Sequence, residues 1–430
     1  MKERQFPGIG ESYFEEQLAN GLRLRIIPKK DFAKKYAFLA VDFGSIDTNF
    51  SLGGKEYCVP AGIAHYLEHK MFDLPGEDAM NLFARCGGSP NAFTSYDMTA
   101  YYVSCTECFE ENLKILLRMV MTPWFTEESV EKERGIIAQE IRMYEDSVHS
   151  RVGEDLFRIL FSHHPIRVPI AGSVESIGEI TAQMLHDCYS AFYRPKNMML
   201  CVVGDVDAQQ VVRIARESTP EASGELPVRD YGGEESLLPN RSRSVRQMEV
   251  SMPTFAIGFA CPPPGDTALC MRREIVGDIA AEILVGESSP LYQRLYEEGL
   301  IDGDFSAGYE SVKNACLLSA GGDSRDPEAV LEAILKEAER LCAEGFDRKL
   351  FHRLKKSALG RRTRDLDSFE SICYRNCAYQ FDGVDYFSFP DAYADVTAED
   401  VEQFLRETVR KEKAAMAVVE PKKKEDAHEI

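Results

Sequence analysis

The fold of this chain is predicted best from one segment, Ala61-Gly-Ile-Ala-His-Tyr-Leu-Glu-His-Lys-Met-Phe72. On a helix, positions i and i+4 lie on one face, so His65 and His69 can bind a single metal ion. Glu68 lies next to His69 at the edge of that face, where its carboxylate can contact a metal-held water. The pattern H-x-x-E-H therefore predicts two metal ligands and a general base together.

Chance explains this pattern poorly. With 8 His and 71 acidic residues in 430 positions, an accidental H-x-x-E-H has a probability of roughly one in a hundred. The plain alternative is two surface histidines on an ordinary helix. The flanks argue against it, because Ile63, Leu67 and Met71 recur at helical spacing and predict a buried face. Buried histidines need polar partners.

A second predicted helix, residues 126–144, offers further ligands. Thr126 suits its N-cap, and the acidic residues behind it suit the positive end of the helix dipole. Glu133 and Glu140 are seven residues apart, close to two turns, so they share a face. One could bind the metal while the other orients a ligand, since a catalytic zinc site usually has three protein ligands. Taken alone, a solvated acidic helix is the default interpretation, and only the companion H-x-x-E-H motif argues against it.

Five motifs in order resemble the pitrilysin/insulinase-type zinc metallopeptidases, or inverzincins, in the half-size bacterial branch similar to mitochondrial processing peptidase. They are His65 to His69, the Glu133–Glu140 pair, Gly87-Gly-Ser-Pro-Asn-Ala-Phe-Thr-Ser95, Phe192-Tyr-Arg-Pro-Lys-Asn-Met198 and Val202-Val-Gly-Asp-Val-Asp207.

The resemblance implies one Zn²⁺ per chain, bound by His65, His69 and Glu140. It implies that Glu133 holds a histidine ring from behind and that Glu68 is the catalytic base. The spacing from His69 to Glu140 is a few residues shorter than is common in the family. A trimmed loop at 73–77 fits this, and although Glu145 lies at the commoner distance, the Glu133 pairing favours Glu140.

The resemblance also implies substrate-binding residues. Asn91, Ala92 and Phe93 would lie on an exposed edge strand that pairs with the backbone of a peptide; without the resemblance, Asn91 reads as a turn residue. The family carries an Arg and a Tyr seven residues apart in its second half. The comparable part of this chain has Arg294, Tyr296 and Tyr309, but no Arg-x6-Tyr pair.

The predicted fold class is α+β, with two homologous domains that each pack a mostly antiparallel sheet against helices, as in the mitochondrial processing peptidase-like metallohydrolase fold. The expected limits are 1–220 for the catalytic domain, 221–245 for a polar linker and 246–430 for the second domain. The order of predicted elements repeats in the second half, which ends with two later helices and a strand. There, Ala280-Ala-Glu-Ile-Leu284 stands where the metal motif would be.

Composition narrows the function classes. A formal net charge of -21 argues against nucleic-acid binding, which needs a basic face. Apolar runs are far shorter than the ~20 residues that span a bilayer, so we expect no membrane partner. The 12 Cys show no disulfide-style spacing. With no secretory signal recognised, this predicts a cytoplasmic protein.

These observations favour a zinc-dependent endopeptidase or oligopeptidase that hydrolyses peptides or unfolded segments, bound as an added β-strand in a clamshell chamber. The alternative is a peptide-binding or processing subunit that is active only with a partner chain. The expected assembly is a homodimer, or a heterodimer with a homologous chain lacking the metal motif. A zinc hydrolase with a non-peptide substrate is a third possibility, which the edge strand disfavours.

Overall fold

The structure is a computed structural model and describes residues 1–221 and 224–422. It is 47% helix and 23% strand, which confirms the α+β class. The strands are β1 Lys2–Phe6, β2 Glu11–Gln17, β3 Arg23–Pro28, β4 Lys35–Val41, β5 Asn49–Leu52, β6 Lys55–Cys58, β7 Asp73–Leu74, β8 Glu77–Asp78, β9 Ser89–Thr94, β10 Thr99–Cys105, β11 Met198–Gly204, β12 Val228–Arg229, β13 Arg243–Met248, β14 Thr254–Cys261, β15 Ser306–Val312, β16 Ala315–Asp323 and β17 Ala414–Pro421.

The helices alternate with these strands along the chain. They are α1 Ile63–Lys70, α2 Ala79–Arg85, α3 Phe109–Met121, α4 Glu127–Asp146, α5 Val148–Leu160, α6 Val174–Gly178, α7 Ala182–Phe192, α8 Ala208–Ser218, α9 Cys270–Val285, α10 Pro290–Glu297, α11 Pro327–Glu344, α12 Arg348–Arg364, α13 Phe369–Phe381, α14 Phe389–Asp395 and α15 Ala398–Thr408. In the described residues no helix combines the length and the apolar character needed to cross a bilayer.

The chain forms two compact units. Of the described residues, the first comprises 1–141, 168–221, 224–231 and 361–390, and the second comprises 142–167, 232–360 and 391–422. The units differ from the continuous domains 1–220 and 246–430 expected from the sequence, because each unit takes a helical segment from the other half of the chain. Part of the expected linker, residues 222–223, and the terminal residues 423–430 of the second expected domain lie outside the described residues.

The first unit is built on a seven-stranded sheet in the order β1-β2-β3-β11-β4-β10-β9. Strands β3 and β11 are parallel, and the other neighbours are antiparallel. Strand β11 is buried along its whole length, as its continuous apolar run predicts. Strand β9 is last in the sheet and is therefore an edge.

The second unit repeats this arrangement in a five-stranded sheet, in the order β13-β17-β14-β16-β15. Again the first pair is parallel and the following three pairs are antiparallel. The match of order and direction to β3-β11-β4-β10-β9 agrees with the duplication predicted from the sequence. Helix α9, which contains Ala280–Leu284, packs on β15, as α1 packs on β9 in the first unit.

The exchanged segments cover one face of each sheet. In the first unit α13 packs on β11 and β4, and in the second α5 packs on β17 and β14. Asn376 of α13 accepts a hydrogen bond of 2.7 Å from the buried guanidinium of Arg25 on β3, and Gln380 accepts another of 2.8 Å. The sequence predicted two late helices where the structure has five, α11 to α15, and it missed α5.

Candidate metal centre

Helix α1 is anchored at its first residue by a close approach of two chain segments. Gly62 precedes the helix with a φ of 90°, a backbone conformation that favours glycine. A Cβ at Gly62 would lie 2.4 Å from the carbonyl oxygen of Ala171, and one at Gly172 would lie 2.4 Å from that of Ala61. Ser176 also donates a hydrogen bond of 2.9 Å to the Ala61 carbonyl. These contacts fix where the histidine-bearing helix begins.

Helix α1 is also tied to α4, which carries the acidic residues. The Tyr66 hydroxyl donates to the backbone carbonyl of Val130. The buried Lys70 ammonium contacts the Asp73 carboxylate and donates to the carbonyl of Ser129 at 3.2 Å. A buried ammonium is stable only with such partners. The two helices are therefore held in a defined register, which sets the distance between their metal-binding side chains.

His65, His69 and Glu140 come together between these helices. Each offers one ligand atom, and these atoms all lie within 4.8 Å of one another. The two Nε2 atoms of His65 and His69 are 3.5 Å and 3.4 Å from the two Glu140 oxygens. Two imidazoles and a carboxylate are a ligand set of catalytic Zn²⁺ sites, so the residues present fit this ion. In the described residues this is the one cluster of its kind.

Glu133 holds the second histidine from behind. Its Oε1 lies 3.0 Å from Nδ1 of His69, whose Nε2 faces Glu140. Burial disfavours the charged ring, but the hydrogen bonds to the two carboxylates outweigh it and raise the pKa of His69 to about 10. The same bond lowers the pKa of Glu133. In the described part of the chain the buried Nδ1 of His65 has no hydrogen-bond partner, so only one ring has this support.

Glu68 is buried beside the three ligands. Its Oε2 accepts a hydrogen bond of 3.1 Å from the Thr94 hydroxyl at the end of β9. Burial raises the pKa of the Glu68 carboxyl, while the two histidines and Thr94 pull it down. A carboxylate whose pKa is raised by its surroundings is suited to take a proton near neutral pH. The sequence offered no signal for Thr94 beyond its place in the motif that contains Asn91.

The edge strand β9 ends next to this cluster, at Thr94. Asn91, Ala92 and Phe93 lie on β9, which pairs with β10 on one side only in the described residues. The backbone N–H of Ala92 donates to the side-chain oxygen of its neighbour Asn91 at 2.9 Å. The ring of Phe93 packs against Tyr374 of α13, with centroids 6.0 Å apart. An edge of this kind presents backbone donors and acceptors to an extended chain.

Several other residues considered from the sequence belong to the second unit. Glu145, the alternative ligand, pairs with Arg151 at 2.9 Å. Arg294 and Tyr296 are exposed on α10 of the second unit. Tyr309 is buried there, with 7% of its surface exposed, and packs over Gly277 and against Phe404. Tyr309 is therefore a core residue, with almost no surface for a substrate.

Comparisons with known proteins show to which family of proteins this chain is similar. The family model described as insulinase (peptidase family M16) matches residues 52–174, which contain His65, His69 and Glu140. The model described as peptidase M16 inactive domain matches residues 179–358. A Bacillus subtilis protein named uncharacterized zinc protease YmfH is 34% identical over 98% of this chain and 100% of its own length.

Solved structures show the same fold over the whole chain. A crystal structure of an M16-like peptidase from Alicyclobacillus acidocaldarius superposes with a TM-score of 0.91 at 32% identity, covering 96% of this chain and 98% of that one. A protease from Helicobacter pylori gives 0.81 at 19% identity, covering 95% and 99%; at that identity it supports the fold alone.

Proposed function

The chain belongs to the insulinase family of peptidases, M16, and on that basis we propose that it is a zinc-dependent endopeptidase or oligopeptidase. Its substrates would be peptides or unfolded segments that lie along β9 as an added strand. One observation carries the proposal: three ligand atoms of His65, His69 and Glu140 lie within 4.8 Å, with the Glu68 carboxylate buried beside them.

The metal would be held by Nε2 of His65, Nε2 of His69 and the carboxylate of Glu140. When bound, Zn²⁺ supplies a Lewis acid for the peptide carbonyl and lowers the pKa of a water to about 7. Glu133 keeps the His69 ring oriented through Nδ1. Because ligand histidines bind metal as neutral rings, the His69 ring would lose its Nε2 proton on metal binding and keep the Nδ1 proton that it donates to Glu133.

Glu68 would move the proton in the reaction. Thr94 holds Oε2 of this carboxylate, which orients the group toward the histidine ligands of the same helix. The carboxylate takes a proton from the attacking water and passes it to the nitrogen of the leaving amine. Burial favours this double role, because a carboxyl with a raised pKa both accepts and returns a proton readily.

Strand β9 would align the substrate. Added strands are recognised mainly through main-chain hydrogen bonds, so broad selectivity for side chains is expected. The same strand ends at Thr94, which contacts the Glu68 carboxylate. A peptide paired with β9 would therefore run directly past the proposed base. The clamshell chamber expected from the sequence remains part of this proposal.

The alternative is a subunit that binds peptide but needs a partner chain for turnover. The burial of Tyr309 favours it, because one of the residues expected to contact substrate lies in the core of the second unit. A homodimer, or a heterodimer with a homologous chain lacking the metal motif, remains a prediction. So does a cytoplasmic location, which is inferred from the sequence alone.

The test combines metal analysis with cleavage of a mixed peptide library by the purified chain, with and without a chelator. We expect zinc near one per chain, cleavage that stops with the chelator, and loss of cleavage with retained zinc in Glu68→Gln. Glu56→Gln, an exposed acid on β6, is the matched control. Cleavage that survives chelation would exclude the proposal. Bound zinc without any turnover would favour the partner-dependent subunit.

A further inference from the structure

A cavity of about 570 Å³ in the second unit has a lining opposite in charge to the chain as a whole. Four arginines line it, Arg158, Arg167, Arg241 and Arg246, with Asp155 as the one acidic residue of the lining. The chain carries a net charge of -21. A basic pocket in so acidic a protein attracts anions that the rest of its surface repels.

Both oxygens of the single carboxylate in the lining, that of Asp155, accept hydrogen bonds from arginines. Asp155 Oδ1 accepts from Arg158 at 2.8 Å, and both Asp155 oxygens accept from Arg246 at 2.8 Å. Asp155 is buried, so removing either arginine would weaken the partners of a buried charge. Asp155 pairs with two of the four arginines only, so the lining itself carries about three positive charges in excess.

The other two arginines carry that excess. Arg167 donates to the backbone carbonyl of Ser162 at 2.6 Å, a neutral partner. The exposed Arg241 makes no ion pair within the described residues. In the described part of the chain the nearby Glu235 makes no ion pair with either arginine, because its carboxylate accepts from the backbone N–H of Ser162, at 2.8 Å, and of the two residues that follow. Its negative charge lies outside the lining and offsets only part of the excess.

Arg243, the first residue of β13, is a nearby arginine that has acidic partners. Its guanidinium lies 2.5 Å from Glu328 and 3.3 Å from Glu420, and it does not line the cavity. Acidic partners are thus within reach of β13. The lack of a carboxylate at Arg241, two residues earlier, is a local property of the cavity wall.

Neutral hydrogen-bonding groups complete the wall. Ser162, Asn240 and Ser244 line the cavity beside the arginines, and the Ser162 hydroxyl contacts the Asn240 side-chain oxygen. Guanidinium forks match phosphate oxygens in pairs, and hydroxyl and amide groups bind the remaining oxygens. The volume lies within the range of about 300–1,000 Å³ typical of small-molecule sites.

We propose that this cavity binds the oligophosphate group of a small anion, either inorganic tripolyphosphate or a nucleoside triphosphate. A single carboxylate or a monovalent anion would leave most of the positive charge of the wall uncompensated. A triphosphate carries three to four negative charges and spreads its oxygens over several guanidinium groups. The site is independent of the metal centre and of the proposed peptidase activity.

Calorimetric titration of the full chain with sodium tripolyphosphate tests the proposal. We expect binding that weakens as salt rises, and Arg241→Ala to raise Kd about tenfold or more, the usual effect of losing a hydrogen bond to a charged group. Arg241→Gln and Arg167→Gln are second variants that keep polar side chains. Arg243→Ala removes the same charge outside the cavity and should change Kd less than about twofold. Any chelation of metal by tripolyphosphate is common to all variants and cancels in the comparison.

A parallel titration with ATP identifies the source of the phosphates. Equal affinity for ATP and tripolyphosphate indicates that the phosphates alone are bound, while tighter ATP binding that also depends on Arg241 indicates a nucleotide. The proposal is overturned if tripolyphosphate does not bind at millimolar concentration, or if Arg243→Ala weakens binding as much as Arg241→Ala. Tighter binding of a polyglutamate peptide than of either phosphate compound would also overturn it.

Discussion

Glu133 Oε1 lies 3.0 Å from Nδ1 of His69, so the ring that faces Glu140 through Nε2 is held on both sides by carboxylates. Such partners fix the tautomer and the orientation of a metal-binding ring. The buried Nδ1 of His65 has no hydrogen-bond partner in the described residues. Of the two histidine rings, only that of His69 is thus held at Nδ1 by a carboxylate in the described residues, and that carboxylate belongs to Glu133.

Replacing Glu133 by Ala should weaken zinc binding about 10- to 100-fold, the usual effect of removing the support of a ligand. Competition with a chelating indicator dye measures this constant. Glu131→Ala, an exposed position two residues earlier whose partner is Arg134, is the control. Equal zinc affinity in the two variants would contradict the role assigned to Glu133.

Thr94→Val should keep the zinc content and lower kcat about tenfold. The substitution removes the hydroxyl that holds Glu68 Oε2 and replaces it with a methyl group of similar size. Thr94→Ser keeps the hydroxyl and should retain most of the activity. Steady-state kinetics on one library peptide decides between them, and a Ser variant as slow as the Val variant would show that the methyl group matters instead.

Backbone N-methylation of a good substrate should lower kcat/KM about tenfold or more when it falls on an amide that pairs with β9. Methylation removes a donor and blocks strand pairing. Methylating successive amides one at a time should produce an alternating pattern, since only every second amide of an added strand points to its neighbour. A uniform response along the peptide would argue against strand addition.

Arg25→Ala should destabilise the first unit by about 1–3 kcal/mol, the usual effect of leaving a buried hydrogen-bond partner unsatisfied. Asn376 and Gln380 lose their donor, and Asp385 loses a cation 3.5 Å away. Arg23→Ala, exposed on the same strand, should change stability by no more than about 0.5 kcal/mol. Urea unfolding followed by the fluorescence of Trp124, the single tryptophan, reports both values.

The stability of the second unit should decrease as the pH is lowered, because of a buried histidine. Burial lowers the pKa of His164 to about 4, against a smaller opposing effect of Glu235, while an unfolded histidine titrates near pH 6.5. Between these values the unfolded chain binds more protons, so stability is full above pH 6.5 and is lost as pH falls toward 4. The total is about 3 kcal/mol.

His164→Gln should flatten this dependence, because Gln does not titrate but can still accept the backbone N–H of Ile166, which His164 Nδ1 accepts at 3.2 Å. His163→Gln, at the exposed neighbouring position, should keep the wild-type slope. Denaturation midpoints at several values between pH 4.5 and pH 7 measure the slopes. An unchanged slope in His164→Gln would assign the pH dependence to other groups.

Local patterns in the sequence predicted much of the fold. The apolar run at 198–203 is the buried strand β11, and Thr126 caps α4, accepting the N–H of Ser129 at 3.1 Å. The cluster of His65, His69 and Glu140 was also expected, because its members follow helical spacing and a strong motif. Patterns of this kind involve residues close together in the sequence, so the structure they predict depends little on the rest of the chain.

The exchange of helical segments could not be predicted in the same way. An amphipathic helix such as α5 or α13 shows the same periodicity whichever sheet it covers, so its pattern does not identify its partner. The buried Arg25 gives no signal either, since its neutral partners lie about 350 residues away along the chain. The burial of Tyr309 gave no signal for a related reason: its position in the sequence relative to Arg294 says nothing about burial.

The exchanged segments also constrain the order of events during synthesis. The first unit includes residues 361–390, and α13 in this segment packs on β11 and β4. That face of the sheet therefore stays uncovered until most of the chain has been synthesised. The first 220 residues, released alone, would expose the apolar face of β11 and leave Arg25 without Asn376. Chains whose synthesis stops early would therefore expose apolar surface of the kind that chaperones bind. The missing α13 would thus mark an incomplete protein for quality control.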